Sequence, residues 1–193
     1  MNGISITDVS YHINDTAILT KVSFKSDAKR IAILGRNGSG KSTLSRLICG
    51  LDRPNQGSIR INDIDVYGDR PAALNTIGMI FQNPDHQIIF PTVIEEIRFG
   101  LTQMGIDKSS ADRRAMSYLS KFGKSDWRDS AISTLSQGQK KLLCLIAILA
   151  MEPKVIILDE PLAALDIPTQ RQLTQILQSL PQTLIYITHD TTH

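Results

Sequence analysis

The chain has 193 residues, of which 41% are hydrophobic and 21% are charged, and its formal net charge is +2. This length supports one sizeable core with room for an inserted subdomain, and the balanced charge gives no indication of a surface for nucleic acid. The longest apolar run, residues 142–151, is far shorter than the ~20 residues of a membrane-spanning helix, so any association with a membrane is expected to go through a partner protein.

The first part of the chain has the pattern of strands. Residues 1–26 alternate between apolar and polar side chains with a turn at Asn14 and Asp15, which predicts an antiparallel pair. A short apolar run at residues 31–34 predicts the next strand. It leads into a glycine-rich segment and a predicted helix over residues 41–49, which Gly50 ends. Residues 58–61 and 76–81 are two further predicted strands.

The middle of the chain has helical patterns. Thr92 and Glu95 have the spacing of a capping box, in which each side chain would bond the backbone at the start of a helix. Three longer helices are predicted, over residues 92–104, 109–122 and 137–151, with a short helical piece around Asp126 and Trp127.

The last part returns to strands. Residues 155–158 and 184–187 are continuous apolar runs, which are typical of strands buried on both faces of a parallel sheet. The fold class is therefore predicted to be α/β, with a mostly parallel sheet, antiparallel strands near the N-terminus and an inserted α-helical subdomain. Residues 1–82 and 153–193 would form the α/β core, and residues 83–152 the insertion.

Residues 35–42 read G-x-x-x-x-G-K-[ST], the P-loop pattern, between a predicted strand and a predicted helix. At average composition the pattern arises by chance about 4 times in 100,000 start positions, so a polyphosphate site is the better interpretation. Backbone amides would surround the β-phosphate, Lys41 would reach the β- and γ-phosphates, and the Ser42 hydroxyl would bind Mg²⁺. The predicted nucleotide-binding residues here are Gly35, Arg36, Asn37, Gly38, Ser39, Gly40, Lys41, Ser42 and Thr43.

Two carboxylates follow the predicted strand at residues 155–158. In open α/β sheets ligands bind at the carboxyl ends of the strands, so Asp159 is a candidate to hold Mg²⁺ opposite Ser42. Glu160 is a candidate to orient or activate the attacking water. Such a pair alone is more typical of a solvated loop, but the P-loop upstream favours the chemical role.

Gln82 and His189 also follow predicted strands. Either one alone would usually be a structural hydrogen-bonding residue. Because the strand ends converge on one nucleotide, we expect Gln82 to coordinate Mg²⁺ through its amide oxygen and His189 to sense the γ-phosphate.

Residues 135–139 read L-S-Q-G-Q before a helix, and residues 162–166 read L-A-A-L-D after the Asp-Glu pair. Together with the P-loop, Gln82 and His189, in this order, they resemble the ATPase subunits of ABC transporters. The resemblance extends from residue 11 to residue 189 and implies the RecA-like fold of P-loop NTPases, with ATP and Mg²⁺ as cofactors.

The resemblance also implies a role for each matching residue. Tyr11 would stack on adenine, although a half-buried strand residue is its plain alternative. Asp166 would lie at a dimer interface, Glu160 would be the catalytic glutamate and His189 the switch histidine. The signature residues that would bind the γ-phosphate of ATP held by the opposite protomer are Ser136, Gly138 and Gln139.

The signature helix starts with an anion-binding N-terminus, yet it belongs to the insertion and is expected to point away from its own P-loop. Two copies arranged head to tail would bring each signature over the other's nucleotide. The resemblance therefore implies a second ATPase protomer, in a homodimer or a heterodimer, and integral membrane partners to which Gln82 couples hydrolysis. No nucleic-acid partner is expected.

A narrower similarity is to the ATPases of energy-coupling factor (ECF) transporters. It rests on residues 81–87, F-Q-N-P-D-H-Q, and residues 90–93, F-P-T-V. It implies a peripheral protein at the cytoplasmic face of the membrane that energises uptake of a vitamin or a transition-metal ion. The alternatives are another ABC importer or an exporter, and a soluble ABC ATPase that works on nucleic acid or ribosomes.

Two features depart from the family pattern. Gln137 stands where the signature usually has its first glycine, and a side chain there would either crowd the phosphate or require a negative φ where glycine is freer. Because Ser136 and Gly138 are retained, we expect function to survive with an altered rate of hydrolysis. In addition, the sequence stops at His193, where family members normally continue for several strands and helices. If the protein ends there, as a fragment or a natural truncation, we expect a less stable sheet and a mobile His189.

Overall fold

A computed structural model describes residues 3–36 and 38–188. In chain order, the strands and helices of this described part are β1 (Ile4–Ile13), β2 (Thr16–Ser26), β3 (Arg30–Leu34), α1 (Lys41–Ile48), β4 (Gln56–Ile61), β5 (Ile64–Asp65), α2 (Arg70–Thr76), β6 (Ile77–Ile80), α3 (Val93–Gln103), α4 (Lys108–Lys121), α5 (Gln137–Ala150), β7 (Val155–Asp159), α6 (Ile167–Ser179) and β8 (Thr183–Thr188). Short 3-10 turns lie at Pro84–His86, Ser125–Trp127 and Ile132–Thr134.

The N-terminal strands form an antiparallel sheet, as the alternating pattern predicts. Its strand order is β2-β1-β4-β5, and β1 pairs with β2 from Ile4↔Ser26 to Ile13↔Thr16. Ile4 and Ile6 on β1 are almost fully buried, as are Ile59 and Ile61 on β4. The buried face of this sheet is therefore built from every second residue, which is the period of a strand.

The second sheet has the strand order β3-β8-β7-β6, and β8 runs parallel to both β3 and β7. The side chains of β7 are buried along its whole length, which confirms that its continuous apolar run is a central strand. The register pairs Leu34 with Thr188 and Asp159 with Ile187, so three strands end at the same edge of the sheet.

Three helices pack around one apolar core. α3, α4 and α5 contact one another, and their buried residues include Ile97, Leu119 and Leu143, each with no exposed surface. Trp127, in the 3-10 turn after α4, joins the same cluster. The helical pattern of the middle of the sequence therefore corresponds to a real helical core.

The described residues group into two compact units. The first unit contains those up to Met79, residues 154–160 and those from Gln182 onward, and the second contains Ile80–Pro153 and Pro161–Pro181. The second unit thus combines the helical segment with α6. The limits 1–82, 83–152 and 153–193 stay a prediction about domain organisation.

The predicted capping box at Thr92 is wrong. The Thr92 hydroxyl donates a hydrogen bond to the Glu95 carboxylate and accepts none from the helix backbone. Backbone carbonyls take the place of a side-chain cap, because the amides of Val93 and Ile94 donate to the carbonyls of Ser130 and Arg128. The start of α3 is therefore satisfied by a neighbouring segment, which no local pattern could indicate.

The helices α2 and α6 have no counterpart among the predicted elements. Both start in the same way: Asp69 accepts a hydrogen bond from the Ala72 amide, Asp166 accepts one from the Thr169 amide, and a proline follows each aspartate two residues later. Asp-x-Pro is thus the signal that could have found them.

In the described part of the chain, every helix falls short of the length and apolar character needed to cross a membrane.

Candidate nucleotide-binding and hydrolysis site

The glycine-rich segment lies between β3 and α1, where the P-loop pattern predicts it. Gly38 and Gly40 have φ angles of +78° and +86°, in the left-handed region that favours glycine. A Cβ atom on Gly40 would lie 2.9 Å from Leu19 Cδ2 and 3.1 Å from the Ile18 carbonyl oxygen. Gly40 is therefore required both by its backbone angle and by the closeness of β2. Asn37 lies outside the described residues.

Lys41 is the first residue of α1 and is only 9% exposed. Its Nζ donates hydrogen bonds to the carbonyl oxygens of Gly35, at 2.8 Å, and Arg36, at 2.9 Å. Two carbonyl oxygens of the P-loop therefore hold the ammonium group of Lys41 inside that loop. The N-terminus of α1 has neither a side-chain cap nor an acidic residue in its first turn, so its amides and its dipole favour an anion.

Ser42 and Asp159 come together from distant parts of the sequence. The Ser42 hydroxyl lies 3.5 Å from Oδ1 of Asp159, the last residue of β7, because α1 packs against β7 and β8. Asp159 is 7% exposed, and burial raises the pKa of its carboxyl. The hydrogen bond from Ser42 and the charge of Lys41 act in the opposite direction, while the charge of Glu160 raises the pKa further.

This pair of oxygen ligands fits Mg²⁺. The ion favours hydroxyl and carboxylate oxygens, and beside a nucleotide it takes most of its octahedral ligands from phosphates and water. Residues 3–36 and 38–188 contain no group of three or more His, Cys, Asp or Glu side chains placed to hold a metal. A small ion that needs few protein ligands suits such a site better than a structural metal.

Glu160 follows Asp159 and has a φ of +44°, which is unusual for a residue with a side chain. Its amide donates to the Ile187 carbonyl oxygen at 2.8 Å, so β8 holds the backbone in this conformation. Such strain costs about 1–3 kcal/mol and is concentrated at functional sites. The positive φ and the hydrogen bond to β8 therefore agree with a backbone that fixes the direction of the Glu160 side chain.

Three further residues predicted for the site are Tyr11, Gln82 and His189. Tyr11 is on β1, where it pairs with Leu19, and its side chain is half-buried. Gln82 is exposed, follows β6 and belongs to the second unit. His189 lies outside the described residues, directly after the end of β8 at Thr188.

The signature residues form the start of α5 in the second unit. Ser136 and Gln139 make a capping box: the Ser136 hydroxyl accepts from the Gln139 amide at 3.3 Å, and Gln139 Oε1 accepts from the Ser136 amide at 2.8 Å. A Cβ atom on Gly138 would lie 2.7 Å from Thr169 Cγ2, at the start of α6. Two signature residues thus shape the helix end, and the third lets α6 approach it closely.

Gln137, the departure from the usual signature, bonds a neighbouring segment. Its Nε2 donates to Asp85 Oδ2 at 3.1 Å, and Lys140 Nζ donates to Asp85 Oδ1 at 2.7 Å. These two bonds, that of Lys140 first, lower the pKa of Asp85. Asp85 belongs to the 3-10 turn just after Gln82, so the unusual residue connects the signature helix to that turn. The sequence pattern alone did not reveal this contact.

Asp166 caps α6. Its carboxylate accepts hydrogen bonds from the amide and the hydroxyl of Thr169, each at 2.9 Å, and these bonds lower its pKa. The predicted position at a dimer interface stays a prediction. The capping role was not expected.

Comparisons with known proteins identify the family of this chain. The sequence profile of the ABC transporter family matches residues 19–163. The biotin transport ATP-binding protein BioM of Rhodobacter capsulatus is 47% identical over 98% of this chain and 81% of its own length. The energy-coupling factor transporter ATP-binding protein EcfA1 of Leuconostoc mesenteroides is 35% identical over 98% of this chain and 73% of its own length.

Two solved structures have the same fold. The protein cbiO1 of Clostridium perfringens, described as part of the ABC transporter complex cbiONQ, has a TM-score of 0.82 at 32% identity and covers 97% of this chain and 78% of its own. The ATP-binding cassette MJ0796, in a dimeric post-hydrolysis state bound to ADP and Pi, has a TM-score of 0.83 at 25% identity, with 97% and 88% covered.

The P-loop, the Ser42–Asp159 pair and these matches define the class of protein: the chain belongs to the ABC transporter family and is an ABC transporter ATPase. Within the family it is similar to ATP-binding subunits of energy-coupling factor transporters. The resemblance stated from the sequence is therefore confirmed, as is the predicted α/β fold with its N-terminal antiparallel strands.

We expect Lys41→Ala to weaken ATP binding. A hydrogen bond to a charged group contributes about 1.5–3 kcal/mol, which corresponds to a rise of about 10-fold to 100-fold in the dissociation constant for ATP. Isothermal titration calorimetry with ATP would measure it. Lys108→Ala, which removes an equal charge from the exposed start of α4, should leave affinity at the parental value. Parental affinity in Lys41→Ala would contradict the assignment.

Asp159→Asn should stabilise the nucleotide-free chain near neutral pH. Folding raises the pKa of the Asp159 carboxyl. The contribution of this carboxyl to the free energy of unfolding is therefore complete below its ordinary pKa of about 3.9, and it is lost as the pH rises through the raised pKa. The melting temperature of the variant should thus exceed that of the parent at pH 7, and the difference should shrink on acidification. Thermal melts between pH 4 and about 8 test the sign. A lower melting temperature at pH 7 contradicts it.

Proposed function

We propose that this ABC ATPase is the ATP-hydrolysing subunit of an ECF-type importer and energises uptake of a vitamin or a transition-metal ion through membrane partners. The observation that carries the ATPase chemistry is the meeting of Ser42 and Asp159 beside the buried Lys41. The importer class is supported by relatives named for biotin transport and for an energy-coupling factor transporter. Another ABC importer or an exporter is the alternative, and a soluble ABC ATPase is a more distant one.

The predicted site residues at the strand ends and in the P-loop each have a task in this proposal. Lys41 donates to the β- and γ-phosphates, and the amides at the start of α1 surround the β-phosphate. Ser42, Asp159 and Gln82 would hold Mg²⁺, and the ion, when bound, would supply positive charge to the phosphates. Glu160 orients the attacking water and accepts its proton, and His189 and Gln82 complete the proposed catalytic set. His189 contacts the γ-phosphate.

The active form in this proposal is a head-to-tail pair of ATPase protomers. Ser136, Gly138 and Gln139 begin a helix, and the amides of such a start favour the γ-phosphate of ATP held by the other protomer. Asp166 faces the same interface, and Tyr11 stacks on adenine. Support comes from MJ0796, whose solved structure is dimeric. ATP then joins the two protomers, and hydrolysis removes the contacts that held them closed.

The membrane partners determine what is transported. The protein cbiO1 is described as part of the complex cbiONQ, which supports an assembly of this kind for the present chain. In the proposal the ATPase is peripheral and lies at the cytoplasmic face of the membrane. Substrate choice belongs to the membrane subunits because this chain performs only ATP chemistry.

We expect Glu160→Gln to lower ATP turnover by about 100-fold or more, since a positioned general base contributes 10²–10⁴-fold. ATP binding should survive, so the variant should accumulate as an ATP-bound dimer. Phosphate release measures turnover, and size-exclusion chromatography with ATP measures the dimer. Asp126→Asn makes the same chemical change on an exposed 3-10 turn and should behave as the parent. Parental turnover in Glu160→Gln would refute the assignment of the base.

An affinity-tagged chain, purified from detergent-solubilised membranes of its natural host, should bring down a hydrophobic membrane protein. The Lys41→Ala variant should recover the same protein, because docking does not depend on holding ATP. Mass spectrometry identifies the partner. Recovery of ribosomes or DNA without any membrane protein would overturn the transport function.

A further inference from the structure

Lys141 is a buried lysine in the second turn of the signature helix. It is only 4% exposed, although lysine is ordinarily a charged residue at the surface. Its Nζ donates hydrogen bonds to the carbonyl oxygens of Pro161, at 3.1 Å, and Ala163, at 2.7 Å. A buried ammonium group is costly unless it is hydrogen-bonded, so these contacts matter to both the helix and the segment that they join.

The segment that Lys141 bonds is the loop over residues 161–165, which leads from Glu160 to Asp166. A second side chain holds the same loop from α6: Gln170 Nε2 donates to the carbonyl oxygens of Leu162, at 3.3 Å, and Leu165, at 3.1 Å. Two side chains thus bond carbonyls at four of its five positions. Side-chain donors, rather than a strand or helix ladder, set the path of this loop.

The fifth position shows that the path is specific. Ala164 has a φ of +60°, in the left-handed region that a residue with a Cβ atom rarely adopts. The strain is held between two anchored carbonyls, those of Ala163 and Leu165. Loss of either anchor would let the loop relax to an ordinary conformation, because a strained backbone persists only where its surroundings enforce it.

Lys141 also connects this loop to the signature. Ser136 caps the same helix, and Lys141 follows five residues later on α5. A translation or rotation of α5 would therefore displace the carbonyl groups of Pro161 and Ala163, because both are hydrogen-bonded to the ammonium group of Lys141. Gln137 and Lys140, on the same helix, bond Asp85 and not this loop. The connection to the loop after Glu160 is thus a separate one.

We propose that Lys141 is a positioning residue for ATP hydrolysis: it sets the conformation of the loop at residues 161–165 and links it to the signature helix. Lys141 itself is assigned no contact with nucleotide. The inference rests on the proposed function of Glu160, the residue that precedes the loop. It predicts an effect on the chemical step that is separate from ATP binding.

The test is Lys141→Met in the full chain, because methionine keeps a long apolar side chain at the buried position but donates no hydrogen bond. The kcat for ATP should fall about 10-fold to 100-fold, the cost expected when a catalytic group is misplaced by a small distance, while KM stays within about twofold. Lys140→Met is the matched control: it removes the same charge from the adjacent residue, which bonds Asp85, and should keep the parental kcat within about twofold.

A second variant covers the case in which Lys141→Met does not fold. Gln170→Leu removes the other two loop bonds from a partly exposed position and should also lower kcat, by a smaller factor, without changing KM. Parental kcat in both variants overturns the inference. So does a fall in kcat that is matched by a rise in KM and an early thermal melt, which would indicate a merely structural role.

The proposed function and the inference about Lys141 can be contradicted independently of each other. If Glu160→Gln keeps parental turnover, the assignment of the base is wrong, whatever Lys141→Met does. If Glu160→Gln stops turnover and Lys141→Met does not affect it, only the inference about Lys141 is wrong.

Discussion

The structure of this ATPase depends on the register of its parallel sheet. Leu34 pairs with Thr188, and Ile187 pairs with Asp159, so β3, β8 and β7 end at one level. The P-loop therefore begins at the sheet edge where Asp159 ends β7, and β8 ends at the same edge. A shift of one strand by one residue would move these ends apart and turn their side chains to the other face.

The signature helix connects several segments of the second unit through side chains. Gln137 and Lys140 bond Asp85, Lys141 bonds the loop at residues 161–165, and Gly138 lets α6 approach. The first two turns of α5 thus contact three neighbouring segments at once. The glutamine at the usual glycine position of the signature thus has a carboxylate partner of its own, Asp85.

Sequence reasoning succeeded wherever a short pattern determines its own structure. The P-loop glycines, the buried run of β7 and the alternation of β1 are local signals, and each corresponds to the predicted element. It failed at the start of α3, where carbonyls from residues 128 and 130 replace the predicted side-chain cap. It also did not predict α2 and α6. The start of each reads Asp-x-Pro, a pattern that by itself is equally typical of a turn.

The sequence by itself determined the α/β fold and the P-loop, because these follow from periodicity and from local spacing, and its motifs indicated the family by resemblance. Only the tertiary structure decided which side chains meet. Ser42 and Asp159 are 117 positions apart and come within 3.5 Å, and Asp85 bonds Lys140 across 55 positions. Contacts of this kind depend on how strands and helices pack, and packing is set by the whole core rather than by any one segment.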